Sequence, residues 1–398
     1  MTNTTLIHTN TNTQNNTITL YPSNWLYNAG VIGLLNVLKR SEKKIEDWIQ
    51  DDGTIKGDIS DLLYKVEIKG IDFKIPLLAK NWLLESWDRL RKKSATNEAE
   101  KIKEVWGKIF NVQYRGFFNA NTKYLFEQSK DSQPLIIQFG KFINSLLNNN
   151  HEEKRCSFCL RNSRFSYKNI FTSEHSKLLG ASAGEKGVPN SFWNLNPEQS
   201  LLICDFCSFV LLNHHLALTD LPDDSQIFIN APSFQVMWHL NQFAQKMYGS
   251  VSGKESRDKR EILAMSIIEY ATRIQTTLGK WAGMNIEIVS KKYDEVNYFS
   301  IPHTTVQILS DPQIATLLSD IGEFRILNMV LNQEYGKLLD TGYKLLRIGS
   351  KDQQSKTDKE FIKDYFYLPI NKININETAY KICQLHALIE EKIKKYKL

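Results

Sequence analysis

Two pairs of cysteines constrain the fold of this chain more than any other feature of its sequence. Cys156 and Cys159 lie in RCSFCLRN, Cys204 and Cys207 lie in LLICDFC, and 44 residues separate the pairs. A Cys-x-x-Cys turn places two thiolates on one side of a metal ion, so two such turns supply the four soft ligands of a tetrahedral zinc site. We predict a structural zinc here, with the intervening segment forming a loop pinned at its base.

The spacing leaves two alternatives open, namely four buried thiols without metal or a redox-active pair. Catalytic zinc is disfavoured, because four cysteine ligands leave no position for water. The fifth cysteine, Cys383, lies in the helical stretch AYKICQLHALIEEK and is predicted to be a buried free thiol. Basic residues near the first pair would offset the negative charge of a four-thiolate site: Lys154, Arg155, Arg161 and Arg164.

Composition favours a globular protein of two or three domains. The chain has 398 residues, of which 42% are hydrophobic, so it can bury a sizeable core. The first 17 residues are rich in Thr and Asn and resemble no signal peptide, and no apolar stretch approaches the roughly 20 residues of a membrane span. We expect a cytoplasmic protein with no membrane partner, where paired cysteines favour metal over disulfides. The net charge of +6 is compatible with a nucleic-acid partner but does not require one.

Periodicity along the chain predicts an α+β fold, predominantly helical with small antiparallel sheets and an inserted zinc-finger-like region with four cysteine ligands. TITLYP reads as a strand, followed by a buried helix capped by Ser23 or Asn24. Gly30 and Gly33 in that helix indicate that another backbone lies close, from a partner subunit or, as we favour, from the chain's own core. The predicted segments are a flexible polar tail at 1–17, an N-terminal α+β domain at 18–150, the zinc-binding insert at 151–215, an α+β continuation at 216–310 and a C-terminal helical region at 311–398.

Further elements follow from local pattern. Residues 65–76 alternate around Gly70 as a β-hairpin does, and the stretches NIEIVSKKY and VNYFSIP predict a second strand pair. A strand and a helix are expected in QIFIN and QVMWHLNQFAQKMYG, and another helix at 261–281. The remainder should be helical, interrupted by a polar loop at 349–359.

The segment between the cysteine pairs carries a second set of polar residues. Glu174 and His175 follow the first pair, and Asn190 or Asn194 precedes the second. That order resembles the HNH (ββα-metal) nucleases, in which an acid–His pair activates water and an Asn orients it. The resemblance implies a last metal ligand after the final cysteine, where this chain has Ser208, and Asn213, His214 and His215 lie farther along. The alternative is that Glu174 and His175 form loop hydrogen bonds.

Four motifs in order give a wider resemblance: YPSNWLYNAGVIGLLNVL, CSFCLRN, LLGASAGEKGVPNSFWN and ICDFC. Together they resemble the CRISPR-associated CXXC-CXXC family over residues 18–215. That family supplies the large subunit, Cas-eight of the b type, to type I-B Cascade complexes. Relatives commonly finish with a helical bundle equivalent to the small subunit, and here only about 90 residues follow the last predicted strand.

The resemblance implies a noncatalytic subunit of a surveillance complex in antiviral defence. Its expected partners are crRNA, double-stranded target DNA, the backbone and 5′-handle-binding Cascade subunits and a helicase-nuclease effector. It would help recognise the protospacer-adjacent motif, while guide pairing supplies the remaining specificity. Basic residues would hold phosphates, and the candidates are Arg115, Lys123, Arg161, Arg164, Lys168, Lys254, Arg257, Lys259 and Arg260.

Three hypotheses therefore remain at this point. The first is the noncatalytic nucleic-acid-binding subunit. The second is an HNH-like metal-dependent nuclease, and the third is a zinc-stapled protein-interaction module without a nucleic-acid role. They differ in metal-dependent DNA cleavage, in the effect of His175→Ala and in salt-dependent nucleic-acid binding.

Overall fold

Helices predominate in the part of the chain that the structure describes, and the strands form three small antiparallel sheets, which confirms the predicted fold class. A computed structural model describes residues 17–90, 92–105, 107–109, 135–146, 155–160, 203–248, 259–273, 286–292, 295–366 and 375–396. Among these residues, no helix combines the length and the apolar composition needed to cross a bilayer.

The N-terminal elements are two short strand pairs and four helices. Strand β1 pairs with β2, and β3 pairs with β4 in the predicted hairpin, whose turn contains Gly70 at φ +84°. The bounds are β1 Ile18–Leu20, α1 Trp25–Lys39, β2 Ile55–Gly57, β3 Lys65–Ile68, β4 Ile71–Pro76, α2 Leu77–Asp88, α3 Glu98–Val105 and α4 Leu135–Ser145.

Helix α1 lies at the centre of this region. Its side chains are buried from Trp25 to Leu38, because α2, strand β6 (Gln226–Asn230), helices α5 and α6 and a 3-10 turn at His214–Leu216 surround it. Helix α5 spans Asp205–Leu212, and α6 spans Phe234–Tyr248. Asn24 provides the N-cap, since its side chain accepts a hydrogen bond from the backbone N–H of Tyr27 at 3.0 Å.

The third sheet contains four strands in the order β5-β6-β7-β8, all antiparallel. Helix α6 packs on β5 and β6, and helix α7 packs on β7 and β8. The predicted helix at 261–281 begins at Lys259 and is described as far as Arg273. The bounds are β5 Thr219–Asp220, β6 Gln226–Asn230, α7 Lys259–Arg273, β7 Glu287–Lys292 and β8 Glu295–Ser300.

The described residues of the C-terminal region, 303–366 and 375–396, form six helices. Helix α13 packs against α11, α9 and α8, while α8, α9 and α10 also contact α7. The bounds are α8 His303–Leu309, α9 Pro312–Ile321, α10 Phe324–Leu331, α11 Tyr335–Gly349, α12 Lys356–Tyr365 and α13 Ile375–Tyr396.

Two details of this region differ from prediction. The loop expected at 349–359 is shorter, because Ser355 and Asp358 form a capping box that starts α12 at Lys356. Cys383 is half-buried rather than buried. It lies at the border of the packed face of α13, between buried Ile382 and exposed Gln384.

The five predicted segments stay a prediction. Within the insert expected at 151–215, both cysteine pairs and the apolar residues of α5 belong to the same hydrophobic core as α1. The region that carries the cysteines is therefore attached to the core through packed residues on both sides of the segment 161–202.

Candidate metal centre

The structure brings the two cysteine pairs together. The Sγ atoms of Cys156, Cys159, Cys204 and Cys207 all lie within 4.8 Å of one another, and all four residues are buried. Zinc–sulfur bonds of about 2.3 Å at tetrahedral angles place sulfurs roughly 3.8 Å apart. The sulfurs of Cys159 and Cys204 are 3.7 Å apart. The four cysteines therefore fit a zinc ion in both chemistry and spacing.

Local backbone structure presents these sulfurs. Cys156 and Cys159 lie in a tight turn that the backbone N–H of Leu160 closes onto the Cys156 carbonyl at 3.0 Å, with Leu160 at φ 58°. Cys204 is the N-cap of α5, and Cys207 lies in its first turn. The N-terminal end of a helix favours negative charge, so this placement suits thiolates.

Backbone N–H groups point at the sulfurs. The Cys156 sulfur accepts from the N–H groups of Phe158 and Cys204, each at 3.4 Å. The Cys204 sulfur accepts from the N–H of Cys207 at 3.4 Å. These donors stabilise thiolate charge in a site that excludes water.

The surroundings of Cys204 and Cys207 favour the protonated thiol, because they raise the pKa of each. Burial raises the pKa of Cys207, and hydrogen bonding with Cys156 raises the pKa of Cys204. For Cys156, hydrogen bonding with Cys159 acts to raise the pKa. The hydrogen bonds of Cys156 with Cys204 and Cys207 act in the opposite direction, and the pKa of Cys156 is lowered to about 7. Because zinc binds thiolates, occupancy of the site should be pH-dependent.

Tyr27 is a member of this site that the sequence-based prediction missed. Its hydroxyl lies 3.9 Å from the Cys207 sulfur, and its ring centroid lies 5.1 Å from that of Phe158, between Cys156 and Cys159 in sequence. Burial raises the pKa of Tyr27, so the hydroxyl keeps its proton. The available signal was its place on the glycine-bearing face of α1, three residues before Gly30.

The residues considered as a last HNH ligand have other roles. His214 donates from Nδ1 to the Leu211 carbonyl at 2.9 Å, and His215 donates from Nδ1 to the Leu212 carbonyl at 3.0 Å. The Asn213 side-chain amide donates to the Phe209 carbonyl at 2.7 Å. Over the described ranges, the cluster suited to a metal consists of the four cysteines and includes none of these three residues.

Burial keeps both histidines neutral. It lowers the pKa of His214 to about 3 and lowers that of His215 well below its usual value. With Nδ1 donating to a carbonyl, the neutral ring of His215 accepts from the Ser86 hydroxyl at Nε2, at 2.9 Å. Both side chains are structural members of the core.

Most other predicted site residues lie outside the described residues. This applies to the nuclease candidates Glu174, His175 and Asn190, and to the basic candidates Arg115, Lys123, Arg161, Arg164, Lys168, Lys254 and Arg257. It also applies to Lys154, whereas Arg155 is described and exposed.

Two of the basic candidates begin helix α7. Lys259 is its first residue. Arg260 donates a hydrogen bond to the backbone carbonyl of Leu331 at 3.1 Å, at the end of α10. This bond gives Arg260 a role in packing the C-terminal helices, in addition to any contact with nucleic acid.

Comparison with known proteins adds one finding about this region. The model of a family described as CRISPR-associated protein (Cas_CXXC_CXXC) matches residues 149–219. The matched segment contains all four clustered cysteines and supports a CRISPR-associated protein of this family. Neither the curated proteins nor the solved structures contain a match to the chain.

Proposed function

We propose that this chain is the large subunit, Cas-eight of the b type, of a type I-B Cascade complex. In this role it binds crRNA and target DNA, helps recognise the protospacer-adjacent motif and recruits a separate helicase-nuclease in antiviral defence. The observation that carries the proposal is the coincidence of the family match at residues 149–219 with four buried thiols spaced for one metal ion.

Zinc has a structural role in this proposal. Held by Cys156, Cys159, Cys204 and Cys207, it joins the two ends of the segment 160–203 at the hydrophobic core. Structural zinc contributes directly to folding free energy. Arg161, Arg164 and Lys168 closely follow Cys159 in sequence, and in this proposal they contact the phosphate backbone.

Recognition by this subunit requires few base contacts. A short duplex motif is read by a small number of side chains in a groove, and guide pairing reads the rest of the target. The basic candidates supply the phosphate contacts that set register and most of the affinity. Of these, Arg260 should contribute least, because its guanidinium already donates to Leu331.

The proposed role needs no reaction on this chain. A zinc ion with four thiolate ligands has no coordination position open for water or phosphate. The HNH-like alternative would use Glu174 and His175 with a separate metal. It predicts that His175→Ala abolishes metal-dependent DNA cleavage, whereas the Cascade role predicts no cleavage by wild type and full target binding by the variant.

Purification from the native host tests the proposal. The chain is tagged, purified gently and analysed for bound RNA and accompanying proteins. Guide RNAs with a repeat-derived 5′ handle, together with several other subunits, are expected. A clean protein free of RNA and partners would contradict the Cascade assignment.

A cysteine variant provides a matched comparison in the same purification. Cys383→Ser removes a half-buried thiol outside the cluster and should retain RNA and partners. Cys156→Ser/Cys204→Ser removes one ligand from each pair and should lose them, because the base of the insert no longer folds.

A further inference from the structure

The hydroxyl of Tyr27 has a specific environment. Tyr27 is fully buried in α1, and its side-chain oxygen lies 3.9 Å from the Cys207 sulfur. Within the described part of the chain, this sulfur is the hydroxyl's hydrogen-bond partner. A buried phenol hydroxyl normally has a partner, so the identity of this one is informative.

The contact follows from the way α1 and α5 pack. A Cβ added at Gly30 would overlap the backbone carbonyl of Val210, and one added at Gly33 would overlap that of Asn213. The two backbones therefore approach closely at Gly30 and Gly33, and Tyr27 lies one helical turn before Gly30. This close approach places the phenol ring beside the first turn of α5, where Cys207 lies.

The direction of the bond depends on the state of the sulfur. A neutral thiol is a weak partner, whereas a metal-bound thiolate has no proton and accepts a charge-assisted bond. Only the Tyr27 hydroxyl can then donate. The bond is therefore stronger when the cysteines hold a metal than when they hold protons.

We propose that Tyr27 is a positioning residue that donates a hydrogen bond to the zinc-bound Cys207 thiolate and so couples metal occupancy to the packing of α1 on α5. This inference rests on the proposed zinc centre. The contact between the rings of Tyr27 and Phe158 extends the coupling to the first cysteine pair. Zinc loading therefore stabilises the N-terminal helix as well as the cysteine turns.

Tyr27→Phe tests the proposal, with Tyr21→Phe as the matched control. The first substitution removes only the buried hydroxyl, and the second removes a hydroxyl from a residue that is 48% exposed. Each full-length protein is titrated with Co²⁺ alone, and its Zn²⁺ affinity is measured by chelator competition. In Tyr27→Phe, the sulfur-to-cobalt charge-transfer band should move to lower energy, because a thiolate without its donor is easier to oxidise.

The affinity should change in parallel. Loss of a group that hydrogen-bonds a metal ligand typically weakens metal binding about 10-fold or more, and we expect an increase of this size in the Kd for Zn²⁺. Tyr21→Phe should match wild type in both measurements. An unchanged band and an unchanged Kd in Tyr27→Phe would overturn the role of Tyr27 and leave the metal centre standing.

Two further results separate the possible failures. If wild type binds neither Co²⁺ nor Zn²⁺, the metal centre and the role of Tyr27 both fail. If Tyr27→Phe does not fold, hydrogen exchange in the wild-type protein still tests the coupling between zinc and α1. Amides of α1 should exchange at least several-fold more slowly with zinc than without it, and equal exchange in both states would overturn the coupling.

Discussion

At the scale of single residues, the core carries titratable groups held in one state by burial. His214 and His215 lie beneath α1 and α2 as neutral rings, each donating to a backbone carbonyl one turn earlier. Lys291 adds to the decrease in the pKa of His214, and Arg89 adds to that of His215. Protonating either ring would place a cation in the core.

This burial predicts acid sensitivity. An unfolded histidine titrates near pH 6.5, so below about this pH the unfolded state binds protons that the native state does not. The free energy of unfolding should fall as pH decreases from about 6.5, at about 1.4 kcal/mol per pH unit for each histidine. For His214, the loss continues towards its folded pKa of about 3.

Denaturant unfolding between pH 7 and pH 5 measures this dependence. His214→Asn should be less stable at pH 7 but should show a shallower pH dependence, by about one proton's contribution. Equal slopes in His214→Asn and wild type would contradict the assignment of a depressed pKa to His214.

Single residues also show which parts of the candidate site could be predicted from the sequence. Cys156, Cys159, Cys204 and Cys207 were predictable as one cluster, because their spacing encodes the geometry of metal ligation. Tyr27 was not, because a tyrosine in an apolar helix is usually only a core residue. Its role depends on the position of α5, which lies about 180 residues later in the chain.

At the scale of elements, the crossing of α1 and α5 determines the geometry next to the cysteines. Gly30 and Gly33 lie against backbone carbonyl groups, which cannot move aside as a flexible side chain can. The glycines cost helix propensity. The close packing of α1 against α5 that the glycines permit offsets this loss.

Gly30→Ala should therefore destabilise the protein despite the higher helix propensity of alanine. The added methyl group overlaps the carbonyl of Val210, and overpacking of this kind costs about 1–3 kcal/mol or more. The free energy of unfolding in urea measures the effect. We also expect weaker Zn²⁺ binding, because separation of the helices moves Tyr27 away from Cys207.

Gly336→Ala is the matched control for this prediction. Gly336 lies in α11, and an added Cβ would have nothing within 4 Å. There the propensity gain should prevail and stabilise the protein by up to about 1 kcal/mol. Destabilisation of equal size at both positions would show that the contact with Val210 is not the cause.

Among the elements, those with a regular sequence pattern could be predicted, whereas those that depend on their surroundings in the fold could not. The strand at Ile18–Leu20, the buried helix at Trp25–Lys39 and both hairpins follow from periodicity and turn residues. The start of α12 was misplaced, because its capping box lies inside a polar run that reads as loop. Strand β5, only two residues long, forms because β6 pairs with it, and its own sequence does not specify it.

At the scale of the whole molecule, the net positive charge is small, so any nucleic-acid binding must depend on local groups of basic residues. The net charge is only +6, so general attraction is weak and clusters of cations have to carry the affinity. In sequence, Lys254, Arg257 and Lys259 are close together, immediately before and at the start of α7.

Replacing these three residues should reduce the salt dependence of binding. Lys254→Ala/Arg257→Ala/Lys259→Ala should lower the slope of log Kobs against log salt by about 2.7 on duplex DNA if each residue neutralises one phosphate. The purified complex is titrated with target duplex at several salt concentrations. Affinity should fall on cognate and noncognate sequences alike, since phosphate contacts carry no sequence information.

A control with the same change in charge separates local from general effects. Lys56→Ala/Lys65→Ala/Lys69→Ala removes three exposed cations from β2, β3 and the β3–β4 turn. It should change the slope by much less than the first variant. Equal changes would show that net charge, rather than the three basic residues at 254–259, governs binding.

The four-thiolate centre underlies both the proposed function and the role of Tyr27, so its metal content is the most direct test. Zinc is quantified per chain in wild type, in Cys383→Ser and in Cys156→Ser/Cys204→Ser after reconstitution and removal of free metal. One zinc per chain is expected in the first two proteins and none in the third. Stoichiometric zinc retained by the double variant, or no zinc in wild type, would contradict a metal centre built from these four cysteines.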